Sequence, residues 1–399
     1  MRWRHEERVL DVLRRHGAMR RAELAEQAGL SRTTLSEIIG DLKERGAVHV
    51  VSTDADRRRG SGRPAELLAL DPRSGQYLGI DLAHTAVHVA VVDATQRTLA
   101  LEQQDLDPDT PWQQRISAAL DLVDRIESEG THFGALQGVG VGLPGPYSPS
   151  WSKDHTAART ESVAARHLVE TAVGERFGST PLLDTNTRLA ALAEAARGQD
   201  LGGDVVYLRL AGGIGGGVVV GGRLVHGGRG LAGELGHVSV DRDGRPCRCG
   251  KRGCLETVAS LPSVLQTCRE RGLALHTVTE LETAVGHADP VVEEVVREAA
   301  TATGQVLATT VLSLNPTDIV VGGALPRTAP LFVHQVASTI TYEVHSIDGA
   351  RPRVHASELG DSGGAIGATV ALTHRTSLLT DYPDGRDSPR RPRPRKDPA

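Results

Sequence analysis

The sequence predicts an α/β protein in which an N-terminal winged helix-turn-helix precedes a larger body of two α/β lobes. Two patterns support this prediction: amphipathic helices before residue 50, and a repeated alternation of strands and helices after residue 76. Glycine contributes 45 of 399 residues and aromatic residues only 3%. The core must therefore consist mainly of Ala, Val, Leu and Ile, and a chain of this length is long enough for two or three domains.

Three segments differ in charge and composition. Residues 1–75 carry 15 basic and 12 acidic side chains, although the whole chain has a net charge of −5. Residues 379–399 are rich in Arg and Pro and have no apolar periodicity, which favours a disordered, solvated tail, with phosphate contact as the alternative. We expect a DNA-binding domain at 1–75, a two-lobed body at 76–378 and a disordered tail at 379–399.

Composition also excludes several classes of protein. No stretch approaches the roughly 20 apolar residues that span a bilayer, and the charged N-terminus has no apolar stretch of the kind found in secretory signals. The near balance of 45 basic and 50 acidic residues excludes a wholly basic scaffold and a disordered polyanion. We expect a cytoplasmic protein with no membrane partner.

Three helices and a hairpin are predicted in the first domain. Residues 6–16 and 21–28 form two short amphipathic helices, and Gly29 ends the second. Ser31 is a suitable N-cap for a third helix, which Gly46 stops. This order is that of a helix-turn-helix, and two apolar runs on either side of a basic turn add a wing. The third helix has an apolar stripe at Leu35, Ile38, Ile39 and Leu42, and the wing runs contain Val48, Val50 and Val51, then Leu67, Leu68 and Leu70.

The polar face of the third helix is the candidate DNA-contacting surface. In this arrangement hydroxyl and guanidinium groups meet base edges or phosphates in the major groove. On the wing, Gly-Arg-Pro at 62–64 resembles the centre of an AT-hook, in which an arginine enters the minor groove. The alternative is a three-helix protein–protein module with a solvated basic loop. The candidate DNA-binding residues are Arg32, Thr33, Thr34 and Ser36 on the helix and Arg57, Arg58, Arg59 and Arg63 on the wing.

The body repeats a β-β-β-α-β-α pattern. The first round runs from residue 76 to a helix at 188–197. The second begins with a Gly-interrupted pair of strands at 204–225 and contains a strand at 318–326. Two such rounds indicate two related lobes, and the cleft between them is a default ligand site.

Three cysteines within eight residues predict a metal site. Cys247, Cys249 and Cys254 lie on a Gly-rich turn, and His237 lies ten residues upstream. Three thiolates and an imidazole suit a closed, tetrahedral, structural zinc in a loop spanning 237–254. The alternative is three reduced thiols on a loop. Cys268, in a later helical segment, is expected to be a buried thiol.

These motifs together resemble the ROK family of repressors and sugar kinases, which share the sugar-kinase/actin (ribonuclease H-like) fold. The resemblance covers residues 6–375 and is carried by GLSRTTLS, the GRP at 62–64, GVGVGLPGP, GLAGELGH and CRCGKRGCLE. The order of domains is similar to that of the family's xylose repressors, because its free-standing kinases have no N-terminal DNA-binding domain. The resemblance implies a sugar-responsive repressor that acts as a homodimer or homotetramer and binds a double-stranded DNA operator and a small carbohydrate effector.

The resemblance also implies which residues bind sugar. In the family, the Glu and His of the GExGH motif and the Glu after the last Cys contact sugar hydroxyls. Here they are Glu234, His237 and Glu256, and His237 would bind zinc through one ring nitrogen and sugar through the other. Each Glu taken alone would be read as a surface carboxylate. Asp184 corresponds to the catalytic base of kinase members and is a vestige of it. The residue before it, an Asn in the family, is Leu183 here, but Asp184 could still accept a hydrogen bond from the sugar.

The nucleotide-binding loops of kinase members are altered. Where kinases have Asp-x-Gly-Gly-Thr, this chain has Ala83 and His84 after Asp81-Leu82, and these side chains crowd the space of a phosphate. A second phosphate loop, Gly-Thr-Gly in kinases, is Ala-Gly-Gly at 211–213, and the run GGIGGG at 212–217 is expected to be a tight strand turn and not a phosphate-binding loop. The sequence therefore predicts no catalytic residue and no kinase activity. Two alternatives remain: a sugar kinase with an appended DNA-binding domain, and a ligand-independent regulator that keeps the body for oligomerisation.

Overall fold

The structure is a computed structural model. It describes residues 2–44, 46–53, 66–72, 75–130, 136–145, 157–197, 203–344 and 351–373.

The apolar stripes of the N-terminal helices form the core of a small helical domain. Val9, Leu24, Leu35 and Ile39 are all buried in one cluster, and Gly29 adopts a positive φ of 60° where the second helix ends. The wing tip, which contains Arg57, Arg58, Arg59 and Arg63, lies outside the described residues. The elements are α1 Arg2–His16, β1 Met19–Arg20, α2 Arg21–Gln27, α3 Arg32–Glu44, β2 Val48–Thr53 and β3 Glu66–Leu70.

A short strand that the sequence pattern did not reveal joins the helices to the wing. β1 pairs antiparallel with β3, which also pairs with β2. At the first residue of β3, Glu66 receives ion pairs from Arg21 at 2.8 Å and Lys43 at 3.4 Å. The contacts with Arg21 and Lys43 favour the charged carboxylate and lower the pKa of Glu66. The wing is thus fixed to both α2 and α3.

Two five-stranded sheets of identical order form the body, which confirms the predicted fold class. In each sheet the first three strands along the chain are antiparallel, and the last two run parallel to the first. The first sheet contains β4 Gln76–Leu82, β5 Ala86–Asp93, β6 Thr98–Asp105, β7 Leu136–Leu143 and β8 Leu182–Thr185. The second contains β9 Val205–Leu210, β10 Ile214–Val220, β11 Arg223–Leu224, β12 Asp318–Gly322 and β13 Arg353–Ala356.

Helices cover both sheets. One predicted strand and one predicted helix have different boundaries in the structure. The strand predicted at 318–326 ends at Gly322, because Gly323 takes a φ of 100° and a helix follows. The helix predicted at 188–197 begins two residues earlier. Cys268 is fully buried on α8, as expected. The helices are α4 Trp112–Ser128, α5 Ala157–Phe177, α6 Asn186–Arg197, α7 Glu256–Ala259, α8 Leu261–Glu270, α9 Val278–Gly286, α10 Pro290–Leu314, α11 Ala324–Thr328, α12 Leu331–Glu343 and α13 Gly363–Thr373.

The last helix, α13, lies directly against the backbone of the first sheet. A side chain at Gly79 or Gly140 would overlap the carbonyl of Ala365 or Ala368, and one at Gly367 on α13 would overlap the backbone of α6. Near its C-terminal end, Leu372 is 4% exposed and belongs to the same apolar cluster as the N-terminal helices. One helix therefore contacts α6, the first sheet and the core of the winged domain.

Within the described part of the chain, none of the helices combines the length and the apolar character needed to cross a membrane.

Candidate functional site

The cysteine loop at 237–254, called the strap below, is held together by backbone hydrogen bonds. Val240 N donates to Gly253 O at 2.8 Å, and Cys247 N donates to Lys251 O at 2.8 Å. Gly253 has a φ of 57°, and a Cβ there would overlap the carbonyl of Asp241. Only glycine fits at this position, so the sequence itself closes the strap and brings its cysteines together.

The four predicted metal ligands converge. One ligand atom from each of His237, Cys247, Cys249 and Cys254 lies within 4.8 Å of the others. The Sγ of Cys247 is 3.6 Å from Nδ1 of His237, and the Sγ atoms of Cys249 and Cys254 are 3.5 Å apart. Bonds of about 2.3 Å from a central tetrahedral ion place sulfur atoms at about this separation. These residues can hold a metal ion through three thiolates and one imidazole.

The three residues expected to contact sugar lie next to this cluster. Since Nδ1 of His237 faces Cys247, its Nε2 points away from the cysteines. Electrostatic interactions link Glu234 to Glu256 and Glu256 to His237. Burial raises the pKa of Glu234, against the opposing effect of Arg188 and Arg248. The structure thus gathers two carboxylates and an imidazole beside the metal-ligand group.

Asp184 is engaged on both carboxylate oxygens. It is 5% exposed at the end of β8, where Oδ1 accepts hydrogen bonds from Thr185 N at 2.7 Å and from Arg188 Nη1 at 2.8 Å. Oδ2 lies 2.6 Å from Nε2 of His226. Arg188 is 0% exposed and also donates to the carbonyl of Gly230 at 2.7 Å. Asp184 therefore ties the first lobe to the second-lobe loop that leads to Glu234.

The turns that correspond to the phosphate loops of kinases follow a buried carboxylate in one case and join two strands in the other. Asp81 is fully buried; its Oδ1 accepts from Asn186 at 3.1 Å, and its Oδ2 has no hydrogen-bond partner among the described residues. Burial raises the pKa of this carboxyl. Arg115 donates to the carbonyls of Ala83 and His84. The tight turn expected at 212–217 is confined to 211–213, where Ala211 N donates to Gly213 O at 3.0 Å; the rest of that range, from Ile214, belongs to β10.

A chain of ion pairs lies near Asp81. Arg209 of β9 contacts Asp361 at 3.2 Å, and Arg327 of α11 contacts the other oxygen of Asp361 at 2.7 Å. Burial tends to raise the pKa of Asp361, but the two arginines outweigh it and lower the pKa. Asp361 immediately precedes α13. The second lobe is thus tied to the start of the helix that packs on the first lobe.

On the winged domain, the candidate DNA-contacting residues of α3 differ in exposure. Arg32, Thr33 and Ser36 are exposed, whereas Thr34 is half-buried and its hydroxyl lies 2.8 Å from that of Ser31. Ser31 also accepts from Thr34 N at 3.1 Å, which is the expected helix cap. Three exposed polar side chains therefore remain on the outer face of α3.

Sequence reasoning missed four arginine and histidine residues of the body. Arg188, His226 and Arg248 contact the predicted sugar residues, and Arg209 occupies the nucleotide side. Arg209 had a visible signal, a charged residue inside an otherwise apolar strand. The other three lie in polar segments, where nothing in the local pattern separates them from solvent-exposed residues.

Comparisons with known proteins agree with this arrangement of domains and motifs. The sequence model of the ROK family matches residues 77–375, and that of the MarR family matches residues 5–59. The DNA-binding transcriptional dual regulator NagC of Escherichia coli K12 is 29% identical over 382 residues, covering 93% of this chain and 92% of NagC. A glucokinase of Halalkalibacterium halodurans is 27% identical over 315 residues, covering 73% of this chain and 93% of the kinase.

The fold is that of a known regulator structure. A ROK family transcriptional regulator, a homologue of the Escherichia coli Mlc protein, superposes with a TM-score of 0.72 at 20% identity, covering 94% of this chain and 97% of that one. The family match extends over most of the body and includes both sheets, the α13 helix and the cysteine loop. This chain is therefore a member of the ROK family, with a MarR-type winged helix at its N-terminus.

Proposed function

We propose that this protein is a DNA-binding transcriptional repressor of carbohydrate-metabolism genes whose body binds a small carbohydrate effector. The observation that supports it most is the continuous connection between two units on one chain: a winged domain with exposed Arg32, Thr33 and Ser36, and a body whose polar loop residues suit sugar hydroxyls. Relatives that match over nine-tenths of this chain include an N-acetylglucosamine repressor and a xylose repressor.

The effector site of this proposal consists of Glu234, His237 and Glu256. Carboxylates accept hydrogen bonds from adjacent hydroxyls, and the imidazole can add a donor or an acceptor. A zinc ion held by His237, Cys247, Cys249 and Cys254 would fix the loop and orient the imidazole, a structural rather than catalytic role. Asp184 would support the site indirectly, through Arg188 and the loop that carries Glu234.

The effector signal would reach the DNA-binding domain through two helices. α6 begins next to Asp184 and packs along α13, whose start is tied to the second lobe through Asp361. The end of α13, at Leu372, belongs to the apolar cluster that also contains the core of the winged domain. A ligand that favours one arrangement of the lobes would move α13 and change the spacing of two winged domains in a homodimer or homotetramer. Operator half-sites would match the two-fold symmetry.

Operator binding with and without sugar tests this proposal. Fluorescence anisotropy with a selected operator would be measured with D-glucose, N-acetyl-D-glucosamine and D-xylose. We expect at least one sugar to change operator affinity about 5-fold to 150-fold. An unchanged operator affinity for every sugar that calorimetry shows to bind would contradict the proposal.

A variant of α13 separates coupling from binding. Leu372→Ala should leave sugar binding intact but reduce the sugar-induced change in operator affinity, because it opens a cavity where α13 meets the winged domain. Leu312→Ala, at a leucine that is 67% exposed, is the matched control and should behave like wild type. Equal coupling in both variants would exclude this route.

The match to a glucokinase favours kinase activity as the second candidate function. It predicts sugar-dependent ADP release that disappears in Asp184→Asn. We propose that kinase activity is absent, because both oxygens of Asp184 are engaged and because Arg209 and Asp361 form an ion pair near Asp81, beside the altered phosphate loop. A ligand-independent regulator would instead retain normal operator control in Glu234→Ala.

A further inference from the structure

Arg248 is the charged residue that the family motifs leave unassigned in the effector site. It stands between two metal ligands, Cys247 and Cys249, so a bound metal would fix its backbone. Its side chain turns towards Glu256: Nε lies 3.0 Å from Oε1, and Nη2 lies 3.1 Å from Oε2. A guanidinium that meets both oxygens of a carboxylate is held in a defined orientation.

Protein groups already contact both carboxylate oxygens of Glu256. Its Oε2 also accepts from Ile214 N at 3.0 Å. A carboxylate has about four acceptor positions. The Oε2 atom accepts two hydrogen bonds, from Arg248 Nη2 and Ile214 N, and Oε1 has the ion-pair contact with Arg248 Nε, so an acceptor position on Oε1 is left for a ligand hydroxyl. Gly213 leaves room for this pair, because a Cβ there would stand 3.0 Å from Oε2 and 3.3 Å from Nη2.

Arg248 brings hydrogen-bond donors next to the two carboxylates of the site. Glu234 and Glu256 can only accept when ionised, whereas a guanidinium has five N–H groups, of which one on Nη2 donates to Glu256. The Arg248 side chain is 62% exposed, so its outer edge is open. It is also close enough to influence Glu234 and His237 electrostatically. Arg248 thus contacts Glu256 directly and lies near Glu234 and His237.

We propose that Arg248 is the specificity-determining residue of the effector site, and that it selects a sugar whose ring carries an acceptor-only oxygen, on an acetamido or carboxylate group, beside the hydroxyl bound by Glu256. This inference rests on the proposed function and deepens it. A neutral sugar with hydroxyls alone would bind Glu256 but would leave the outer edge of Arg248 to water. The shared chemistry is an oxygen that accepts hydrogen bonds and donates none.

Calorimetry on the full-length, zinc-loaded protein tests the inference with three probes. D-glucose carries hydroxyls only, N-acetyl-D-glucosamine carries an amide oxygen, and D-glucuronate carries a carboxylate. We expect at least one of the latter two to bind about 10-fold or more tighter than glucose, the ratio that one hydrogen bond to a charged group supplies. In Arg248→Ala this ratio should fall to about 1, with little change in glucose affinity.

Two further variants keep the result interpretable. Arg248→Lys retains the positive charge but cannot meet both carboxylate oxygens, so the ratio should fall partly. Arg252→Ala removes an exposed arginine from the same strap and should keep the wild-type ratio. Zinc content, measured by a colorimetric chelator, should be unchanged in all three variants.

The outcomes distinguish a failure of the Arg248 inference from a failure of the proposed function. Wild-type protein that binds all three probes equally, or Arg248→Ala that keeps the wild-type ratio, would overturn the role of Arg248 and leave the proposed function standing. If none of these or other carbohydrates bound the wild type, the proposed effector function would fail, and the role of Arg248 with it.

Discussion

The two sides of the interlobe region satisfy their polar groups in opposite ways. On the cysteine-loop side, Glu234 and Glu256 lie close to His237, which is also one of the four predicted metal ligands. On the nucleotide side, Arg209, Asp361 and Arg327 pair with one another. We propose that the first side is open to an effector and that the second side is closed by its ion pairs. In this proposal, the absence of kinase activity involves intramolecular contacts as well as altered phosphate loops.

The largest effect should come from removing a metal ligand on the open side. Cys249→Ser should reduce bound zinc from about one per chain to near zero and destabilise the strap, because structural zinc contributes directly to folding free energy. Metal analysis and hydrogen exchange over 236–255 would measure both effects. Cys268→Ser is the control, since this buried thiol lies outside the cluster and its loss should leave zinc content unchanged. Full zinc retention in Cys249→Ser would refute the ligand set.

A smaller but still large effect should follow from breaking the ion pair between the two lobes. Asp184→Ala leaves the fully buried Arg188 without its carboxylate, and we expect a loss of about 3–5 kcal/mol in the free energy of unfolding. Chemical denaturation measures this loss. Arg197→Ala breaks an exposed pair with Glu358 and should cost less than about 1 kcal/mol. Similar losses in the two variants would mean that Asp184 does not hold the lobes together.

On the closed side, a substitution at Asp81 should stabilise the protein instead of destabilising it. Burial raises the pKa of Asp81, so its protonated form is favoured in the folded state. The stabilising contribution is complete below the unfolded pKa of about 3.9 and is lost as pH rises through the folded pKa. Asp81→Asn removes this penalty and should therefore stabilise the protein at pH 7. The gain should shrink on acidification, and thermal unfolding at several pH values would measure it. A variant less stable than wild type at pH 7 would show that the charge of Asp81 is needed.

The sequence pattern was sufficient for features that depend on local periodicity or on tight spacing. The stripe of Leu35, Ile38, Ile39 and Leu42 indicated the third helix and its buried face, and all four are buried. The repeated strand order indicated two lobes. The cysteines lie within eight residues, so a single turn brings them together, and their convergence could be predicted without a fold.

Features that depend on chain topology could not be predicted in this way. Arg209 and Asp361 are 152 positions apart, and only the path of the chain through both sheets brings them together. The ties from Asp184 to His226 and from Arg248 to Glu256 likewise depend on how loops fold back. The end of the strand predicted at 318–326 was misplaced because Gly323, which starts a helix, looks like one of several glycines in an apolar run.

Nucleotide binding tests most directly whether the second side is closed. Calorimetric titration of the zinc-loaded protein with Mg²⁺ and the non-hydrolysable ATP analogue AMPPNP would be carried out alone and with a bound sugar. If Arg209, Asp361 and Arg327 fill the nucleotide side, no saturable binding should be seen up to about 1 mM, an affinity weaker than about −4 kcal/mol. Saturable binding in the micromolar range would contradict this account and would restore kinase activity as the leading hypothesis.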